Sequence, residues 1–138
     1  MVEQSPSAIF VYGTLRKAIG HPMHQLLLQH ARFVGDATMP GRLYDLGRYP
    51  GMTDAESAQD RVLGELYELR DNNVWRMLDD YEGCGERDTP PYEFERHVRT
   101  ATIDGQTAMD AAVYLIRQLP PHAARIESGD YVRDRSVR

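Results

Sequence analysis

The sequence predicts an α+β fold, a small mixed and mostly antiparallel β-barrel or curved sheet with a few flanking helices. The pattern of segments supports this class, and the length of the chain supports a single domain. The chain shows about six or seven short strand-like segments against two helix-like ones, separated by glycine and proline turns. Its 138 residues suit one domain, and the sequence contains no internal repeat, linker or low-complexity tract. We therefore expect a single domain over 1–138.

The first half of the chain supplies a helix and most of the early strands. Ala8 to Tyr12 is rich in β-branched and aromatic residues and ends at Gly13, which predicts a buried strand. Residues 22–31 place Met23, Leu26, Leu27 and His30 on one helical face, with Pro22 in the first turn. The remaining predictions are short strands over 32–36 and 42–46, a loop at 49–51, a turn or short helix over 53–60 and a strand over 62–69.

The second half predicts one more helix and a hairpin. A helix over 73–81, capped by Asp71 or Asn72, repeats apolar residues at helical spacing and is ended by Gly83 and Gly85. A strand over 92–102, a turn at Asp104-Gly105 and a strand over 109–116 follow as an antiparallel pair. The arginine-rich end, with Arg133, Arg135 and Arg138, predicts a frayed, solvated terminus.

Composition and charge exclude several classes of function. The chain carries 16 basic and 21 acidic residues, a net charge of −5, so it lacks the basic balance of a nucleic-acid-binding protein. No apolar run approaches the length of a membrane span, and no signal peptide is recognised at the start. The lone Cys84 excludes an intramolecular disulfide. We expect a cytoplasmic protein, a monomer or weak dimer, with no nucleic-acid or membrane partner.

Two segments depart from what packing alone would select. Residues 11–16, VYGTLR, run from a strand into a glycine turn, which can present backbone N–H groups to a ligand or be an ordinary strand-ending turn. Asp79, Asp80 and Glu82 place three carboxylates at a helix C-terminus, against the helix dipole. They form either a solvated acidic face or a site where one carboxylate has a raised pKa and accepts a proton.

Other familiar sites are weakly supported. His21 and His24 have a spacing that could hold a metal, but helix capping or a surface role is the better interpretation. Cys84 has no base that sequence alone can pair with it, and no phosphate-binding glycine motif is present.

Eight motifs occur in a recognisable order along the chain: VYGTLR at 11–16, GHPMH at 20–24, LYDLGRYPG at 43–51, LGELYEL at 63–69, LDDYEG at 78–83, YEFERHVRT at 92–100, AAVYLI at 111–116 and SGDY at 128–131. They span about 8–132 and combine a YGTL turn with a D-x-x-E-G box. In this order they resemble the gamma-glutamylcyclotransferase-like superfamily, in its short bacterial branch related to gamma-glutamylamine cyclotransferase.

The resemblance implies a small barrel with outer helices and a reaction that needs no cofactor or metal. The α-amine of a gamma-glutamyl amine or amino acid closes on its own γ-carbonyl and releases 5-oxoproline, so orientation supplies much of the rate. Glu82 matches the family's general acid/base. The substrate loop corresponds to Tyr12, Gly13, Thr14 and Leu15, and weaker candidates for the pocket wall, for which core packing is an equal interpretation, are Tyr44, Tyr92 and Tyr114.

Fold and one glutamate do not fix what is cleaved. Residues 52–95 carry a strong excess of acidic over basic residues, which mildly favours gamma-glutamyl amines over acidic peptides. Two alternatives remain at this point: a non-enzymatic module that binds a small molecule or has a regulatory role, and a gamma-glutamyl hydrolase that would release glutamate.

Overall fold

The computed structural model describes residues 7–85 and 88–136. Within these ranges the chain forms eight strands and three α-helices, joined by turns and one 3-10 turn at Lys17–Ile19. In chain order these are β1 (Ala8–Val11), α1 (Pro22–His30), β2 (Ala31–Pro40), β3 (Arg42–Asp45), β4 (Pro50–Thr53), β5 (Arg61–Leu69), α2 (Val74–Tyr81), β6 (Phe94–Ile103), β7 (Thr107–Ile116), β8 (Ala124–Ile126) and α3 (Tyr131–Ser136).

Five strands close into a barrel in the order β1-β5-β2-β6-β7, and a second sheet has the order β4-β3-β8. All pairs are antiparallel except β1 with β7. The predicted α+β class with a mostly antiparallel barrel is therefore confirmed. Within the described ranges, no helix combines the length and apolar character required to cross a membrane.

Strand β1 is buried on both faces because it lies between two apolar clusters. Phe10 joins one cluster with residues of the barrel and of the three-stranded sheet. Ile9 and Val11 point the other way, as alternate residues of a strand do, and pack with α1 and α2. The end of β1, where residues 12–16 begin, is thus held from both sides.

Strand β2 and the second sheet differ from the sequence expectation. Strand β2 runs to Pro40 instead of ending near Asp36, because it pairs with β5 along its length through a register shift between Phe33 and Gly35. The loop predicted at 49–51 is wrong, since Pro50 starts strand β4, where a missing N–H is tolerated. Strand β8, which was not predicted, is three residues long and is recognisable only by its pairing with β3.

The chain end was also predicted incorrectly. Instead of fraying, 131–136 form helix α3, in which Tyr131 is buried and the Asp130 carboxylate accepts a hydrogen bond from the amide of Arg133. Arg133 and Arg135 are nevertheless exposed. Arg138 lies outside the described residues.

Candidate active site

Glu82, at the C-terminal end of α2, lines a cavity of about 540 Å³. Val74 and Leu78 are fully buried and anchor the inner face of the helix. Glu82 is the C-cap, and Gly83 follows with a left-handed φ of 78°, a conformation that glycine adopts without strain. The helix therefore stops at the residue whose carboxyl lines the cavity wall.

A tight turn at the end of β1 forms another wall of the same cavity. The amide of Arg16 donates to the carbonyl of Gly13 at 3.0 Å, which closes the turn. Gly13, Thr14 and Leu15 all line the cavity. Among the hydrogen bonds of residues 7–85 and 88–136, none is donated by the backbone amides of these three residues. They are free to bind an anionic or carbonyl oxygen.

Gly13 is required by packing. A Cβ added at this position would lie 2.6 Å from Cγ of Pro50, too close for any side chain. Gly13 is not among the described residues with a positive φ, so the alternative that it serves a left-handed conformation does not apply. The glycine lets β4 approach the turn.

Polar contacts join the turn to the helix that carries Glu82. Oγ1 of Thr14 and the hydroxyl of Tyr81 share a hydrogen bond at 2.8 Å. The Tyr81 hydroxyl also lies 3.5 Å from Nε2 of His21, and the two rings meet edge to face. Because Tyr81 immediately precedes Glu82, these contacts fix the distance between the turn and the carboxyl.

Tyr12 and Tyr114 line the cavity, but their hydroxyls are already bonded within the protein. The Tyr12 hydroxyl donates to the carbonyl of Tyr114 at 2.6 Å and accepts from the amide of Met52. The Tyr114 hydroxyl donates to Oδ1 of Asp79 at 2.6 Å. Asp79 in turn lies 3.5 Å from the guanidinium of Arg96, which stacks on Trp75.

The environment of Glu82 favours its protonated form. Burial, followed by the charges of Asp79 and Glu93, raises the pKa of Glu82 from 4.5 to about 7. The carboxyl is therefore poised to accept and return a proton near neutral pH. Burial also raises the pKa of Tyr114, so its hydroxyl remains a donor to Asp79.

A family model described as gamma-glutamyl cyclotransferase, AIG2-like, matches residues 9–133. The chain belongs to this family. It is 34% identical over 125 residues to a Vibrio cholerae protein provisionally named gamma-glutamylcyclotransferase, covering 89% of this chain and 93% of that protein. It is 36% identical over 86 residues to rat gamma-glutamylaminecyclotransferase, covering 55% of this chain and 54% of the rat enzyme. The crystal structure of an AIG2-like protein from Mus musculus matches with a TM-score of 0.66 and 27% identity, over 86% of this chain and 82% of that one.

In this gamma-glutamyl cyclotransferase-like fold, most of the predicted site residues come together. The cavity is lined by Glu82 together with Tyr12, Gly13, Thr14, Leu15 and Tyr114. Tyr44 and Tyr92 are not brought to it. Tyr44 lies on β3, where it pairs in register with Gly51 of β4 and Arg125 of β8, and Tyr92 lies in the loop before β6.

Sequence reasoning missed several residues of the cavity. Tyr49 and Glu93 line it, and the Tyr49 hydroxyl donates to the Glu93 carboxylate, which with burial raises the pKa of Tyr49 to about 12. Arg48 brings a cation to the same wall. Arg48 and Tyr49 lie in the loop between β3 and β4, Glu93 lies in the loop before β6, and none of the three carries a spacing signal. They fall within the matched motifs at 43–51 and 92–100, which did not single them out.

The histidines and the cysteine do not form a second site. Nδ1 of His21 caps α1 by accepting from the amide of Met23, and His24 is buried against Tyr67. Among the described residues, no three histidine, cysteine or carboxylate side chains gather as a metal site would require. Burial raises the pKa of Cys84 to about 11, so its thiol is protonated near neutral pH.

Proposed function

We propose that this chain is a cofactor-independent gamma-glutamyl cyclotransferase that releases 5-oxoproline from a gamma-glutamyl amine or amino acid. The observation that carries the proposal is that the Glu82 carboxyl, whose pKa burial raises to about 7, lies in the same cavity as three backbone amides that donate to no acceptor among the described residues. A general acid/base works best when its pKa lies close to the working pH.

The turn at 13–15 supplies the binding half of the site. Backbone N–H groups are neutral donors in fixed directions, and they stabilise a negative oxygen without titrating. In our proposal the amides of Gly13, Thr14 and Leu15 hold the glutamyl head. Thr14 and Tyr81 fix this turn against α2, so the bound head group faces the carboxyl of Glu82.

Glu82 supplies the proton transfers. It removes a proton from the α-ammonium group, and the freed amine attacks the γ-carbonyl carbon to form the ring C–N bond. The ring nitrogen then carries two protons and a positive charge. The tetrahedral intermediate collapses as Glu82 gives its proton to the leaving nitrogen and the bond from the γ-carbon to that nitrogen breaks; the carboxylate takes a second proton from the ring nitrogen and passes it to the departing amine, which leaves as an ammonium group. The two protons that the α-nitrogen loses are the two that the leaving nitrogen gains, so protons and charges balance without water, metal or a covalent enzyme intermediate.

Because nucleophile and electrophile belong to one molecule, the protein needs mainly to fold the substrate into its ring-closing shape. The cavity walls suit this task, since Tyr81, Phe94 and Tyr114 enclose it with rigid aromatic surface. A cytoplasmic location and a monomer or weak dimer remain predictions that accompany this function.

The test is a panel of gamma-glutamyl amines and dipeptides followed for 5-oxoproline by mass spectrometry. We expect Glu82→Gln to lose on the order of a hundredfold in turnover, because it keeps the shape but removes the basicity. Asp80→Asn is the matched control, since Asp80 is exposed at the same helix end and does not line the cavity.

Three results would contradict the proposal. A folded E82Q protein with nearly full activity would remove Glu82 from the mechanism. Release of glutamate instead of 5-oxoproline would identify a hydrolase. No turnover, combined with a higher melting temperature in the presence of glutamate analogues, would favour a binding module.

A further inference from the structure

Glu65 is a carboxylate buried outside the cavity. It lies on β5, is 2% exposed, and pairs in register with Val11 at the end of β1. Its Oε1 accepts from the amide of Lys17 at 3.0 Å and from the Tyr67 hydroxyl at 2.8 Å, while its Oε2 lies 3.3 Å from Nε of Arg16. The carboxylate therefore binds the two residues that follow Leu15.

Arg16 is held from a second direction. Its Nη1 donates to Oδ1 of Asp130 at 2.9 Å, and the same oxygen accepts the amide of Arg133 at the start of α3. Gly129, next to Asp130, is fastened to β5 because its carbonyl accepts from the amide of Leu63. The guanidinium thus bridges a carboxylate on β5 and a carboxylate in the segment that is hydrogen-bonded to β5.

Stability alone does not account for a buried charge of this kind. Removing a carboxylate from water costs several kcal/mol, and a buried ion pair commonly does no better than well-packed apolar side chains. The pair instead fixes the orientation of the groups around it, since each oxygen of Glu65 accepts from particular donors. Burial raises the pKa of Tyr67, so its hydroxyl stays protonated and donates to Glu65, which leaves Nε2 of His24 as the donor to Tyr67.

The position of this network determines what it fixes. One end of the 13–15 turn is held by β1 and Tyr12, and the other end by Arg16 and Lys17. The amide of Arg16 also closes the turn on the carbonyl of Gly13. We propose that Glu65 is a positioning residue that aims the three turn amides at the substrate. This inference rests on the proposed cyclotransferase function.

The test compares Glu65→Gln with Asp60→Asn. Asp60 is a matched control because it is also a buried carboxylate, 5% exposed, held by the guanidinium groups of Arg42 and Arg125, yet it does not line the cavity. E65Q removes one of the two carboxylate partners of Arg16, and D60N removes a carboxylate partner from both Arg42 and Arg125, so both variants are expected to lose stability. Steady-state kinetics and amide hydrogen exchange over 12–17 are measured below the melting temperature of each variant.

We expect E65Q to lower kcat/KM by roughly tenfold to a hundredfold, the scale of effect that follows from misplacing substrate-holding groups by a fraction of an ångström to 1 Å. Exchange of the Arg16 and Lys17 amides, which donate to Gly13 and Glu65, should accelerate at least tenfold in E65Q only. The acid limb of the pH profile of kcat/KM should stay at the same pH, because the charges that raise the pKa of Glu82 are those of Asp79 and Glu93, not that of Glu65. D60N should keep the wild-type kcat/KM in its folded fraction.

Unchanged kinetics or unchanged exchange in E65Q, with an active wild type, would overturn the positioning role and leave the proposed function intact. Equal losses in E65Q and D60N would show a purely structural effect and would also overturn it. If the wild type itself releases no 5-oxoproline, the proposed function fails first. Faster exchange in E65Q would then show that Glu65 holds the turn although the turn binds no substrate, and this result overturns the inference.

Discussion

Replacing Glu82 by glutamine should stabilise the folded protein at neutral and alkaline pH. The unfolded chain ionises Glu82 at its ordinary pKa of 4.5, whereas the folded protein holds the proton up to about pH 7. Between these two values the folded state binds a proton that the unfolded state has released. Linkage then requires the free energy of unfolding to fall as pH rises through this window, because the unfolded state binds fewer protons.

The size of the effect follows from the distance between the two pKa values. A separation of about 2.5 pH units, at 1.36 kcal/mol per unit, corresponds to a loss of about 3 kcal/mol that is complete above pH 7. Glutamine carries no charge and avoids this loss. The E82Q protein should therefore match the wild type at pH 4 and exceed its stability by about 3 kcal/mol at pH 8.

Urea unfolding of both proteins at several pH values between 4 and 9 measures the difference directly. Glu127→Gln serves as the control, because Glu127 is exposed and its removal should leave the pH dependence of stability as in the wild type. Parallel curves for the wild type and E82Q across this range would refute the reasoning. They would mean that the Glu82 carboxyl is solvated in the folded protein and has no raised pKa to use in catalysis.

Two further predictions concern the neighbours of Glu82 and of the turn. Asp79→Asn removes the second-largest cause of the raised Glu82 pKa, so the acid limb of the kcat/KM profile should move down by about half to one pH unit, and an unmoved limb would contradict the coupling. Gly13→Ala should destabilise by about 1–3 kcal/mol through overpacking against Pro50, and less in a Pro50→Ala background, where the Cγ and Cδ atoms that clash are absent. An equal cost in both backgrounds, measured by urea unfolding, would exclude the Pro50 contact as the cause.

The elements with strong local patterns were predictable from the sequence. The helices at Pro22–His30 and Val74–Tyr81 repeat apolar residues at helical spacing, and the hairpin of β6 and β7 turns at Asp104-Gly105. Strand β8 and the second half of β2 had no such pattern. Both depend on a partner strand that is distant in the chain, so no window of local sequence contains the reason for their existence.

The site divides in the same way. The turn and Glu82 each broke a local expectation, one through a glycine after a strand and the other through carboxylates against a helix dipole, and both signals were readable. Arg48, Tyr49 and Glu93 depart from no local expectation, and they become part of the cavity only when the loop before β4 meets the loop before β6. Tyr44 is an aromatic residue of the kind that lines pockets, but it lies on β3 between Gly51 of β4 and Arg125 of β8 and does not line the cavity.

Glu82 and Glu65 are both carboxylates shielded from solvent, but their surroundings have opposite effects on the ionised form. Glu65 accepts from the Lys17 amide and the Tyr67 hydroxyl at one oxygen and from Arg16 at the other, so its charge is compensated and its position is fixed. Glu82 receives the charges of Asp79 and Glu93 instead, so its ionised form is disfavoured in the folded state. A group that must release its proton and take it back cannot be fully compensated, whereas a group that only holds a loop must be. Removing the charge should therefore stabilise the protein above pH 7 at Glu82 and destabilise it at Glu65, and that difference in sign would separate the proposed acid/base from the proposed positioning residue before any substrate is identified.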